Sequence, residues 1–255
     1  MILACHGVHK AFTGVQALVD VSIGVAEGEV LGIIGPNGSG KTTLFNILAG
    51  QERADRGRVV LAGRAIGGRR PHRIAALGLA RTFQNLRLFP GMTVLENVMA
   101  GGHLRARAGV AAQFWPGARE RRERAARDEA AALLAEVGLA GHEAALPGEI
   151  SYGQGKRLEL ARALNIRPRV LLLDEPTAGM NDAQAADILA LILRLKQRWG
   201  LTLAIIEHNV PVLGRVADRI AVLDAGRLLT VGTPAEVVRD KQVIAAYLGA
   251  DAGTG

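Results

Sequence analysis

One cysteine, Cys5, stands among 255 residues, so an internal disulfide and a cysteine-rich metal site are both excluded. That usage fits a reducing cytosol. No stretch offers about eighteen uncharged apolar residues, so no membrane-spanning helix is expected. The opening residues Met1, Ile2, Leu3, Ala4, Cys5 and His6 lack the basic region and apolar core of a secretion signal, and none is expected. Internal repeats and low-complexity tracts are absent too. What is present is 49% apolar residues, enough to bury a sizeable core in one large domain or two small ones.

A net charge of +7 and a pI near 10.3 would suit nucleic acid or an anionic membrane surface. Much of the excess is arginine, with Arg69, Arg70 and Arg73 in one cluster and Arg119, Arg121, Arg122, Arg124 and Arg127 in another. Glu120 and Glu123 fall four residues before Arg124 and Arg127, the pattern of a solvated helix face. No nucleic-acid partner is expected on that ground. Ala126, Ala130, Leu133, Leu134 and Val137 give this helix an apolar stripe, and Gly138 is a stop signal.

The most specific signal is Gly35-Pro36-Asn37-Gly38-Ser39-Gly40-Lys41-Thr42-Thr43, a complete phosphate-binding loop. It follows an apolar strand candidate at 30–34 and opens a helical stretch ending near Gly50. The glycines let backbone N–H groups face an anion, and the helix start adds the positive end of its dipole. Lys41 can reach the β- and γ-phosphates, and the Thr42 hydroxyl is placed to ligand Mg²⁺. A second strand candidate, 170–173, delivers Asp174 and Glu175 to the sheet's carboxyl edge, where open α/β folds bind ligands. Asp174 suits the Mg²⁺ shell, and Glu175 is placed beside a γ-phosphate to orient or deprotonate water. An Asp-Glu pair can also be a plain strand exit, the lesser alternative even when found alone; downstream of a phosphate loop that alternative recedes further. Ser151-Tyr152-Gly153-Gln154 precedes a helical pattern at 156–164. Ser151 with Gln154 makes a capping box, which ordinary helices carry. A capped helix start with a glycine in its first turn is also an anion site, and a second copy of the chain could use it.

Taken together, these residues resemble the nucleotide-binding subunit of an ATP-binding-cassette (ABC) transporter, over nearly the whole chain. Besides the loop and V-L-L-L-D-E-P-T, the chain carries R-T-F-Q-N at 81–85, I-S-Y-G-Q at 150–154 and I-I-E-H-N at 205–209, in the family's order. The resemblance implies an α/β phosphate-loop NTPase with a RecA-like core, an N-terminal antiparallel β subdomain and a helical subdomain at about 85–165 within a single domain, 1–255. It implies that Glu175 is the catalytic carboxylate, that His208 bonds the γ-phosphate, and that Gln84 contacts Mg²⁺ and water while sensing a membrane subunit. Phe12 falls where the family stacks an aromatic on adenine, although taken alone it could simply be core. ATP and Mg²⁺ are the implied cofactors. Implied partners are permease subunits, a second cassette that takes Ser151 to Gln154 into its own site, and a solute-binding protein, with the chain peripheral on the cytoplasmic face of the cell's inner membrane.

Two departures narrow the subgroup. Tyr152 replaces the first glycine of the usual signature, and Asn181 stands where many relatives place a trans-contacting Asp, leaving Asp182 as a candidate. With R-T-F-Q-N-L-R-L-F-P-G-M-T-V-L-E-N-V and the tail from Gly232 to Gly249, they resemble the ATPases of branched-chain amino-acid importers. Urea or amide importers, lipopolysaccharide exporters, soluble cassettes acting on DNA or ribosomes, and a nucleotide-dependent binding module without turnover are the alternatives. For the rest, residues 1 to about 80 read as short β segments, including 19–25 and 59–66, around the loop unit. Further expectations are a helix at 182–197, a strand at 201–206, a hairpin of 219–223 with 228–231, a helix opened by Thr233-Pro234, and frayed residues at 250–255.

Overall fold

The strand expected at 30–34 forms as β3 (Val30–Ile34), buried throughout, in a computed structural model that describes residues 1–106 and 118–251. Around it lie β6 (Leu79–Arg81), β7 (Val170–Asp174), β8 (Thr202–Ile206), β9 (Arg219–Asp224) and β10 (Arg227–Gly232). Their spatial order is β10-β9-β3-β8-β7-β6. Every pair from β9 to β6 is parallel, and only β10 returns antiparallel, in the hairpin expected at 219–231. A second, antiparallel sheet is built from β1 (Leu3–Phe12), β2 (Val15–Val25), β4 (Arg56–Leu61) and β5 (Arg64–Ala65), in the order β2-β1-β4-β5.

Successive side chains of a strand point to opposite faces, and here both faces are covered. Leu171 and Leu173 enter one apolar cluster, whereas Val170 and Leu172 enter the other. The same division holds for Val30 and Ile34 against Leu31 and Ile33, Leu203 and Ile205 against Ala204 and Ile206, and Ile220 and Val222 against Ala221 and Leu223. The first cluster lies under α3 (Val94–Ala106), α4 (Ala118–Glu136), α5 (Tyr152–Leu164) and α6 (Asp182–Trp199). The second joins the sheet to α1 (Lys41–Leu48) and to β1, β2 and β4.

Helix boundaries follow local chemistry. Ser151, Asn181 and Thr233 each cap a helix start, with Gln154, Gln184 and Glu236 bonding back, so α5, α6 and α8 (Pro234–Arg239) all begin with capping boxes. Such a cap is worth about 1 kcal/mol. Of the expected stripe, Ala130, Leu133 and Leu134 on α4 and Val137 just past it are buried and Ala126 is half-buried, and Gly138 follows at φ +76°. Glu123 and Arg127 pair at 3.2 Å on its exposed face; the side chain of Arg119 lies outside the described residues.

The N-terminal third departs from the short β segments expected there. Strands β1 and β2 run for 10 and 11 residues, because each is paired along its length with the other. Pro71 opens a short helix, α2 (Pro71–Ala75), its fixed φ suiting a first helical position. Edge strand β6 exists only through its pairing with β7, and three residues carry no periodicity of their own. At the other end α9 (Lys241–Asp251) continues through 250 and 251, where fraying was expected; 252–255 lie outside the described residues.

Candidate active site

Because β3, β6, β7 and β8 are parallel and adjacent in one sheet, the segments leaving them emerge at the same edge. Four stretches therefore meet there: the phosphate loop after β3, Thr82 to Asn85 after β6, Glu175 after β7, and Glu207 with His208 after β8.

The loop is built on its glycines. At Gly35 a Cβ would lie 2.0 Å from the Leu223 carbonyl oxygen, so no other residue fits. Gly40, at φ +99°, caps α1 with a Cβ position 2.5 Å from the Ala17 carbonyl oxygen. Asn37 and Gly38 are exposed at the mouth, Pro36 is half-buried and Ser39 is buried beneath them. Lys41 is buried, and its Nζ donates to Gly35 O and Pro36 O, both at 2.8 Å, and to Ser39 Oγ at 3.4 Å. Burial holds its pKa below the usual lysine value, against the opposing pull of Glu175 and Asp174. Thr42 is exposed and Thr43 half-buried in the first turn of α1, where main-chain N–H groups have no acceptor within the helix. The cradle and its cation are thus in place for an anion.

Across the edge, Glu175 sits at φ +48°, a left-handed conformation uncommon for a glutamate. Its carboxylate is held from two sides. Gln84 Nε2 donates to Oε2 at 2.8 Å, and His208 Nε2 lies 2.7 Å from Oε1. The three residues expected to work together are joined directly, with His208 half exposed at 46% and the Glu175 carboxylate nearly covered at 12%. Next to them Glu207 Oε1 accepts from both Thr177 N (3.0 Å) and Thr177 Oγ1 (2.7 Å), tying the segment after β7 to the segment after β8.

Asp174 is buried in an ion pair with Arg81, Nη2 to Oδ2 at 2.7 Å, while Arg81 Nη1 donates to Asn46 and Gln51. Asp174 Oδ1 is buried and has no hydrogen-bond partner. An unpartnered oxygen of this kind, on the sheet edge that also carries Thr42 and Gln84, fits a hard divalent cation or its water. Among the described residues no group of three or more His, Cys, Asp or Glu could hold a metal unaided, so such a cation would share the nucleotide's own oxygens.

Two groups of expected residues stand apart from this cluster. Ser151 to Gln154 form the capped start of α5, where Ser151 N donates to Gln154 Oε1 at 2.8 Å and Gln154 N to Ser151 Oγ at 3.3 Å. Tyr152 is exposed, and a Cβ at Gly153 would meet open space. Among the described residues no hydrogen bond joins this start to 35–43. Phe12 is exposed at the end of β1, with the Lys10 ammonium 4.8 Å from its ring centre. Asn181 is engaged as the cap of α6 and Asp182 is that helix's first residue. Arg81 and Glu207 each stand within a quoted motif, R-T-F-Q-N and I-I-E-H-N, without an expected role; both are defined by partners 93 and 30 residues away.

A phosphate cradle facing a carboxylate braced by an amide and an imidazole defines an ATP-hydrolysing phosphate-loop enzyme. The chain belongs to the ABC transporter family, whose profile matches residues 18–178, and residues 227–253 match the profile described as branched-chain amino acid ATP-binding cassette transporter. It is therefore a transport-coupled ATPase, peripheral to the membrane; among the described residues no helix is long and apolar enough to cross one. It is 41% identical to the high-affinity branched-chain amino acid transport ATP-binding protein BraF of Pseudomonas aeruginosa, over 97% of this chain and 98% of that protein. It is 37% identical to LivG, of the same description, from Salmonella typhimurium, over 97% and 98%. The lipopolysaccharide export system ATP-binding protein LptB of Haemophilus influenzae is 36% identical over 97% of each. A nucleotide-free ATP-binding cassette from an ABC transporter superposes with a TM-score of 0.84 at 33% identity, covering 96% of this chain and 98% of that one. A cassette solved as a dimer bound to ADP and Pi gives 0.78 at 25% identity, covering 91% and 98%.

Proposed function

We propose that this chain is the ATPase of an importer of branched-chain amino acids or related small solutes, working on the cytoplasmic face of the inner membrane with permease subunits, a second cassette and a solute-binding protein. The observation that carries the catalytic part is the Glu175 carboxylate, held between Gln84 and His208 on the edge that also bears Lys41. The match of 227–253 supports the importer over the lipopolysaccharide exporter that the third relative serves.

In this reading the loop amides and Lys41 bind the β- and γ-phosphates, and Lys41 exchanges its bonds to Gly35 O and Pro36 O for phosphate oxygens. Glu175 orients the attacking water and accepts its proton at a carboxylate oxygen. His208 turns its ring N–H to the γ-phosphate. Gln84 contacts the water and responds to the permease. Thr42, Gln84 and Asp174 would hold Mg²⁺, which neutralises charge on the phosphate oxygens. Phe12 supports adenine from β1. Ser151 to Gln154 complete the partner cassette's site, and the helical subdomain at about 85–165 passes the cassettes' movement to the permeases.

Glu175→Gln keeps shape and hydrogen-bonding capacity but removes the base, so turnover is expected to fall by about 10² to 10⁴ with ATP affinity retained. Lys41→Ala should weaken ATP binding itself. Near-normal steady-state hydrolysis by Glu175→Gln would overturn the catalytic assignment. Cells lacking the chain should lose high-affinity leucine uptake; intact uptake with defective lipopolysaccharide export would favour the exporter.

A further inference from the structure

Residues 83–88 follow β6 without forming an element, and no backbone–backbone hydrogen bond anchors them among the described residues. Helix α5 holds them through side chains instead. Lys156 Nζ donates to Gln84 O at 2.7 Å and to Phe83 O at 3.3 Å, while Phe83 N donates to Glu159 Oε1 at 3.2 Å. Phe83 is thus gripped by both its carbonyl and its amide. Further along the same helix, Arg162 donates to Arg87 O and lies 3.8 Å from Glu159 Oε1. Lys156 and Glu159 are 4% and 2% exposed. Burial pushes the lysine's pKa down and the glutamate's up.

Two buried charged side chains are a poor way to glue a helix to a sheet, since apolar side chains of similar volume often do as well without the desolvation penalty. What apolar residues cannot do is hold main-chain N–H and C=O groups that have no ladder to join. We propose that Lys156 and Glu159 are positioning residues for ATP hydrolysis: from α5 they fix the backbone of Phe83 and Gln84, and so set where the Gln84 amide meets the Glu175 carboxylate. The same helix begins at Ser151, so any tilt of its capped start is delivered through Lys156 to the chain's own carboxylate. This inference rests on the reading of Gln84 and Glu175 as working residues.

The test is a double-mutant cycle on the full chain, with kcat, ATP affinity and melting temperature measured for each variant. Lys156→Met should lower kcat by about 10- to 100-fold, the cost of a misplaced catalytic group, with ATP affinity little changed. Gln84→Ala should lower kcat as well, and the double variant should be no worse than the poorer single one, because both remove one device. Lys156→Arg, which can still donate to two carbonyls, should recover most of the activity. Should Lys156→Met fold poorly, Lys156→Met/Glu159→Leu removes both charges at once and keeps the packing. Its melting temperature should hold while kcat stays low, whereas a merely structural pair would give activity back with stability. Additive losses in the cycle, or full activity in the doubly apolar variant, would overturn the proposal. A Gln84→Ala variant of normal kcat would overturn the reading of Gln84 on which it rests, a different and separately visible failure.

Discussion

Cys5 is 1% exposed on β1, its thiol directed at the Val21 carbonyl. Burial pushes its pKa from 9.0 up to about 11, the main-chain bonds opposing only in part. Below pH 9 the thiol is protonated in both folded and unfolded chains and the shift contributes nothing. Between about 9 and 11 the unfolded chain loses a proton that the folded chain keeps, so stability falls as pH rises, by on the order of 2 kcal/mol. Urea midpoints at pH 8 and pH 10.5 should show this drop in the native chain and a shallower one in Cys5→Ala; equal slopes would mean that the thiol ionises freely. The same residue illustrates what sequence could and could not tell. That Cys5 has no thiol partner was legible from a count, whereas its environment depends on Val21 and Ile23 of a strand it meets only in the fold. Arg81 is the sharper case: quoted in a motif, it acquires meaning only from Asp174, Asn46 and Gln51 around it.

At the scale of elements, the start of α5 carries the expectation of a shared site. Ser151 and Gln154 satisfy each other in the capping box, and Gly153 between them faces open space, so the chain's own fold leaves that first turn free to approach another molecule. In a Glu175→Gln background, ATP with Mg²⁺ should shift the chain from monomer toward dimer in sedimentation. Adding Gly153→Asp should abolish the shift through repulsion of the γ-phosphate, with ATP binding to the monomer preserved, since a Cβ there meets nothing. Loss of binding in the isolated monomer would place Gly153 in the chain's own site and end the head-to-tail reading. Elements with chemical punctuation were legible: the loop between β3 and α1, the capping boxes of α5 and α8, and the hairpin of β9 and β10 all stand where their residues put them. Those without it were not. Strand β6 and the side-chain grip of α5 on 83–87 exist because segments more than 70 residues apart in the chain come together, and no local pattern records that.

The whole molecule is organised around strands that serve two interiors. Along β3, β7, β8 and β9 each residue facing the helical cluster is followed by one facing the cluster beneath the antiparallel sheet. These strands belong to neither half. Solvent can reach their main-chain amides only if both interiors open, which is to say only in molecules that have come apart entirely. In native-state hydrogen exchange the four strands should therefore form the slowest set, with one common opening free energy equal to that of global unfolding, while the edge pairs of β10 and β5 exchange earlier. Two separate plateaus, one for each face, cannot arise from shared walls, and finding them would show the interiors parting independently. The edge that carries Lys41, Glu175 and His208 is continuous with that slowest set, whereas Gln84 leaves the edge strand β6, so all of the site's framework but the Gln84 segment is the last part of the protein to forget its shape.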